Sequence, residues 1–302
     1  MPLRLACLGR SGTNPFFSNQ GLIVSIALRA LSKVNPLISR LIASFLAVGS
    51  ISVISYAQKL AVIPTLVIGV GFTGVLVSHW SKSAAEDDEQ QLQNSLNRSV
   101  SMLLTILTPI VVGLYILKEP LTRLLLQRGA FGEEAVMVTA EVFSIFVIAV
   151  IPTYLHMMIG RVLLVKQDYV TIFWLNMLVL CFNSVLSYLL AIMLNMGPKG
   201  IALSTFISVS IVAITTTFVV HRHYVRLSLQ EVGKSIFRII VGCLIMVFVI
   251  YLFQNLAQAL IMKGGLIFEI FSVSLIGAVV YLGFLSLVHH PDMVAVVKLK
   301  NG

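Results

Sequence analysis

The run Leu22-Ile-Val-Ser-Ile-Ala-Leu-Arg29-Ala-Leu-Ser-Lys33-Val-Asn-Pro-Leu-Ile-Ser-Arg40-Leu-Ile-Ala-Ser-Phe-Leu-Ala47 is long and apolar enough to cross a bilayer, yet it carries three cations. A fourth, Lys59, lies in the next apolar stretch. A cation inside hydrocarbon costs about 2.5–3.5 kcal/mol on insertion scales, so such residues are rare and face a polar interior. At about 100° per residue, Arg29 to Lys33 turns a helix by about 40° and Arg29 to Arg40 by about 20°. All three therefore point to one side. One-sided positive charge with few acids nearby implies an anionic ligand, and phosphate or diphosphate is the natural candidate.

Outward from this stretch the chain repeats the same apolar pattern. Segments 22–47, 51–79, 99–117, 137–160, 169–193, 200–220, 236–256 and 266–288 can each span about 30 Å of hydrocarbon. The chain is 58% hydrophobic and 11% charged, with a mean hydropathy of +0.98. No soluble domain of 302 residues hides that much apolar surface. The expected fold is an all-α polytopic transmembrane bundle of about eight helices. The residues divide it into an irregular segment 1–20, a six-helix lobe 21–228, and a terminal helix pair with tail 229–302. Segment 1–20 has no signal-peptide core, and its abrupt start reads as a chain that begins within a larger design.

The net charge of +9 does not point to nucleic acid, because the basic residues scatter over loop ends. Cys7, Cys181 and Cys243 are isolated and fit no disulfide framework or metal spacing. Nothing calls for a cofactor. His221-Arg-His223 and His289-His290 fall at helix ends and read as interfacial residues. Gly69-Val-Gly71-Phe-Thr-Gly74 has dinucleotide-fingerprint spacing but no soluble strand-turn-helix around it, so it reads as helix packing.

Loop charge orients the bundle. One side holds Lys82, Arg98, Arg161, Lys166, Arg222, Arg226, Lys234, Arg238, Lys298 and Lys300, and the other holds Lys118, Arg123, Arg128, Lys199 and Lys263. Both termini are therefore expected in the cytoplasm. Residues 81–98, with Glu86 to Glu89, read as an aqueous loop. Leu121 to Arg128 reads as a short amphipathic stretch in the headgroup layer, with Leu121, Leu124 and Leu125 on one face. Pro36, Pro64, Pro109 and Pro152 are expected to kink helices.

Several stretches resemble the lipid II flippase (MurJ/MviN) family. Val34-Asn-Pro-Leu-Ile-Ser-Arg40, Ala43-Ser44 and Gly49-Ser-Ile-Ser52 resemble its seventh helix, and Tyr56-Ala-Gln-Lys59-Leu60 with Pro64 its eighth. Glu119-Pro-Leu-Thr-Arg-Leu-Leu-Leu-Gln-Arg128-Gly-Ala-Phe131 resembles an external motif, and Gly200-Ile-Ala-Leu-Ser-Thr205 the twelfth helix. The family has two six-helix lobes and a final pair, with the transport cavity between the lobes. The resemblance implies that this chain corresponds to helices seven to fourteen. It would sit in the bacterial inner membrane beside a first lobe or a second copy, and flip a lipid-linked diphosphate sugar precursor.

The resemblance also implies roles. Lys59, Arg40, Arg29 and Lys33 would contact the diphosphate. The family's Asp-Arg pairs stand here as Ser39-Arg40 and Gln58-Lys59, so each cation is kept and each acid is lost. A family sodium site would map to Ser39, Asn183, Ser187 and Thr205, which offer only neutral oxygens. The terminal pair would form a lipid-facing groove for an isoprenoid tail. Read alone, the residues leave alternatives open: Lys59 as a snorkelling lysine, Asn176 and Asn183 as glue between helices, a flippase for another undecaprenyl-diphosphate-linked oligosaccharide, an inactive fragment, or a membrane glycosyltransferase. The last would need acid and base carboxylates in a large aqueous loop, and Glu86 to Glu89 reads as a solvated run. The expected activity is therefore transport, not catalysis.

Overall fold

Among the described residues α1 runs Val34–Ala43 and contains Pro36. The computed structural model describes residues 34–66, 89–129, 131–226, 228–259 and 265–288, and every regular element among them is helical. After α1 the chain turns, with Ser44 closing a bond to the carbonyl of Leu41 at 2.7 Å. Gly49 then takes φ +93, a left-handed conformation that side chains resist, and α2 runs Ser50–Leu60. These two helices lie in the first and second expected spans. The rest of those spans, including Arg29 and Lys33, lies outside the described residues.

The remaining helices follow: α3 Glu89–Ile116, α4 Lys118–Leu126, α5 Glu133–Val165 and α6 Tyr169–Tyr188. A π-helical turn, Leu189–Met193, extends α6. Then come α7 Pro198–His223, α8 Leu229–Ala259 and α9 Leu266–Leu287. By length and composition, α3 and α5 to α9 can each cross a membrane.

Helix α5 is apolar on every side, as a helix buried all round must be. It packs against α2, α3, α4, α6 and α7. Val136, Val142, Phe143, Val147, Val162 and Leu163 are all fully buried along it. Helices α8 and α9 pack on each other, and α3 joins this pair to the α5 group. Phe248, Tyr251, Phe271 and Val279 project from the pair with large exposed surfaces, as lipid-facing residues do.

One reading of the sequence is corrected. The expected loop 81–98 does not reach Arg98, because α3 already covers Glu89 onward. Leu92 and Leu96 are 1% and 0% exposed, and with Leu103 and Leu107 they continue one buried stripe while Gln90, Gln93 and Arg98 solvate the other side. The amphipathic stretch expected at Leu121 to Arg128 falls on α4, Lys118–Leu126. Thr122 is the buried residue, Leu121 packs on the core, and Leu125 is exposed. Arg123 anchors this helix, pairing with Glu119 at 2.9 Å and with Glu133 at the start of α5.

At the opposite end, Asp168 caps α6 by accepting from the Thr171 N–H at 3.1 Å, and its other oxygen accepts the Tyr224 hydroxyl. Burial pulls the Asp168 carboxyl upward, but the bonds from Thr171 and Tyr224 outweigh it and hold it below its ordinary value. The Asp168 charge, and then burial, push the Tyr224 phenol up.

Candidate functional site

Gly200 determines how α6 and α7 meet. A Cβ there would lie 2.6 Å from the Ala191 backbone nitrogen, so only glycine lets the first turn of α7 lie against the π-turn of α6. π-turns of this kind frequently mark functional sites. One turn further along α7, Ser204 and Thr205 face Asn183 and Ser187 on α6.

These side chains form one buried network. Asn183 is 2% exposed, Ser187 1% and Ser204 0%. The Asn183 amide nitrogen donates to the Asn35 side-chain oxygen on α1 at 2.6 Å. The Asn183 oxygen accepts from Ser204 at 3.0 Å, Ser187 at 3.2 Å and Thr205 at 3.4 Å, while Ser187 and Ser204 meet at 2.6 Å. Ser39, one turn beyond Asn35, is also buried. The structure therefore gathers Asn183, Ser187 and Thr205, and adds Asn35 and Ser204, which the sequence reading did not single out as site residues. Both lie inside the quoted motifs, and Asn35 precedes Ser39 by one helical turn. Asn176 is separate, bonding the carbonyl of Ile172 on its own helix.

The cations lie elsewhere. Arg40 on α1 and Lys59 on α2 are both exposed, and neither forms an ion pair with a described residue. The Lys59 ammonium stands 5.5 Å from the centre of the Tyr56 ring. Tyr56 in turn meets Phe131, on the loop after α4, edge to face at 5.8 Å. Leu37 and Leu41 on α1, Phe45 in the turn after it, Ile51 on α2 and Leu66 beyond α2 are exposed.

A third feature is an apolar cavity of about 430 Å³ between α3, α8 and α9, walled by residues such as Ile106, Ile110, Met246 and Leu282. The Tyr281 hydroxyl on its wall donates to the Thr105 carbonyl at 2.9 Å.

A family model described as lipid II flippase MurJ matches residues 18–272. The chain belongs to this family. It is 31% identical over 179 residues to a probable lipid II flippase MurJ of Thermotoga maritima, covering 59% of this chain and 36% of that relative. A probable lipid II flippase MurJ of Rickettsia prowazekii is 24% identical over 256 residues, covering 84% of this chain and 49% of the relative. A solved lipid II flippase MurJ in an inward closed conformation superposes with a TM-score of 0.76 at 24% identity, over 91% of this chain and 54% of that one, and so shares the fold. The chain thus spans about half the length of these MurJ relatives or less.

The fold and the six long apolar helices make this a multi-pass membrane protein. The sodium site that the MurJ resemblance implied does not suit the residues present. Asn183 already accepts three hydroxyls with one oxygen, and the hydroxyls bond each other or the Ile201 carbonyl. No carboxylate joins them, and no cluster of three or more His, Cys, Asp or Glu side chains occurs among the described residues. Structurally the network is a clasp holding α1, α6 and α7 together.

Proposed function

We propose that this chain forms the second lobe and terminal helix pair of a flippase that carries lipid II, the undecaprenyl-diphosphate-linked peptidoglycan precursor, across the bacterial inner membrane. The reading rests on one observation above all: in a chain of this family, Arg40 and Lys59 are exposed and form no ion pair with a described residue. Arg29 and Lys33 continue the Arg40 stripe by sequence spacing. Each charge-assisted bond to a diphosphate contributes about 1.5–3 kcal/mol net. Tyr56 and Phe131 restrict where Lys59 can reach. The apolar cavity beside α9 suits part of an isoprenoid tail. The sugars pass through a hydrated space and no bond is made or broken, so the protein is a transporter and not an enzyme.

The exposed cations call for a covering lobe, from another stretch of polypeptide or from a second copy. Cations left facing hydrocarbon would be costly. Both termini lie in the cytoplasm in this reading, and α4 lies outside. The test is complementation of a flippase-depleted strain, with the chain produced alone and together with the first six-helix lobe of a relative. Growth with the added lobe supports the reading, and growth from the chain alone overturns the need for a first lobe. Stable, paired insertion that supports export of another undecaprenyl-diphosphate oligosaccharide but not growth shifts the substrate.

A further inference from the structure

His156 is a titratable side chain in the membrane-spanning part of α5 that the transport reading leaves unused. It lies nine residues before the last residue of that helix, Val165, about 14 Å along the axis. Its Nδ1 is 2.8 Å from the Thr216 hydroxyl on α7, and Thr216 is fully buried. An ionisable group at such a place is costly and points to a function.

The environment of Thr216 sharpens the point. The flanking hydroxyls of Thr215 and Thr217 bond back to the carbonyls of Ile211 and Ala213, the usual arrangement in a helix. Thr216 instead meets His156. Pro152, His156 and Gly160 repeat every fourth residue on α5, and a Cβ at Gly160 would lie 3.9 Å from the Thr216 methyl. Thr216 therefore packs between His156 and Gly160, on the same stripe as a proline that interrupts the helical ladder.

A hydroxyl can serve both charge states of the ring. When the imidazole is neutral, Thr216 can donate to Nδ1. When it is protonated, Nδ1–H donates to the Thr216 oxygen, and the Thr216 proton is free to turn to the Val212 carbonyl, as its neighbours do with theirs. The contact survives the gain of a proton but reverses direction. Titratable groups on α5 and the helices packed against it include Tyr154, Arg161 and Glu141 on α5, His221, His223 and Lys199 on α7, Tyr169 on α6, Lys59 on α2, Arg98 and Tyr115 on α3, and Lys118, Glu119 and Arg123 on α4.

We infer that His156 is a proton-binding site within the membrane, held by Thr216, whose occupancy changes the contact between α5 and α7. This rests on the membrane fold and on no particular substrate. The test is histidine C2–H exchange by mass spectrometry on the whole chain in lipid nanodiscs between about pH 4 and 9, with His221 and His223 as references at a helix end. His156 is expected to give a sigmoidal profile. Thr216→Val should lower its midpoint by about half a pH unit, roughly threefold in proton affinity, because the charge-assisted bond is the stronger of the two. Thr216→Ser should keep the wild-type midpoint and guards against a folding defect. Amide exchange over 150–162 and 211–220 should differ across the midpoint in wild type and not in His156→Gln. A flat His156 profile, or equal midpoints in wild type and Thr216→Val, overturns the site. Unchanged amide exchange overturns its effect on packing.

Discussion

Tyr281 donates its hydroxyl to the carbonyl of Thr105, at 2.9 Å, because Pro109 leaves that carbonyl unclaimed. Residue 109 should supply the N–H that bonds residue 105 in an α-helix, and proline has none. In hydrocarbon no water can take its place. A side chain 176 positions away in sequence completes α3 and fastens α9 to it.

Tyr281→Phe should therefore cost about 1–3 kcal/mol, the penalty of a buried carbonyl left without a donor. Pro109→Ala in the same background should recover most of it by restoring the backbone donor. Melting of the four proteins in matched detergent measures the coupling. Additive losses would mean that the hydroxyl does not serve this carbonyl.

Asn183 should be the most sensitive polar residue between α6 and α7. Asn183→Leu removes the acceptor of Ser187, Ser204 and Thr205 and the donor to Asn35 at once. Stranding buried hydroxyls costs about 1–3 kcal/mol each where no other partner is reached. Ser204 and Thr205 can fall back on the Ile201 carbonyl, so the expected loss is about 2–4 kcal/mol in total. Thr205→Val, at the longest of the three contacts, should cost under about 1 kcal/mol. Equal losses for the two variants would show that the network is not centred on Asn183.

Much of this was legible in the chain. The membrane class and the long helices followed from apolar runs, since a bilayer demands them of any sequence. Asn183 and Ser187, four apart, had to share a helix face. Asn35 could not be paired with Asn183 from spacing, because the two lie 148 residues apart and depend on how α1 docks. The start of α3 was missed because Gln90, Gln91 and Gln93 follow an acidic run and hide the buried leucines between them. The bond from Tyr281 to Thr105 needed both Pro109 and the packing of α9.

The contact between Asp168 and Tyr224 gives stability a defined pH window. The folded Asp168 carboxyl titrates below its ordinary 3.8, so its contribution is present above that value and is lost as pH falls through the folded one. Tyr224 is raised above its ordinary 10.0, so its contribution holds below that value and fades as pH rises past the folded one. The melting difference between wild type and Tyr224→Phe should be constant from about pH 5 to 9 and shrink outside that range. Asp168→Ala should cost about 1 kcal/mol more than Tyr224→Phe, because it also removes the cap on α6. A difference that peaks near pH 7 would point to another titrating pair.

Lys59 supplies the sharpest functional test. Its ammonium is exposed beside Tyr56, whose ring Phe131 braces from the loop after α4. If the charge holds a diphosphate, Lys59→Ala and Lys59→Gln should both abolish complementation while inserting normally, because glutamine keeps polarity and loses charge. Lys59→Arg should support growth, since it keeps the charge and offers a planar fork suited to phosphate oxygens. Phe131→Ala should have a smaller effect, roughly tenfold or less in transport rate, because it loosens Tyr56 without removing the cation. The assay supplies a first lobe and compares strains at equal protein levels. Wild-type growth with Lys59→Gln would remove the charge from the mechanism and leave Arg40, Arg29 and Lys33 as the remaining candidates for the diphosphate.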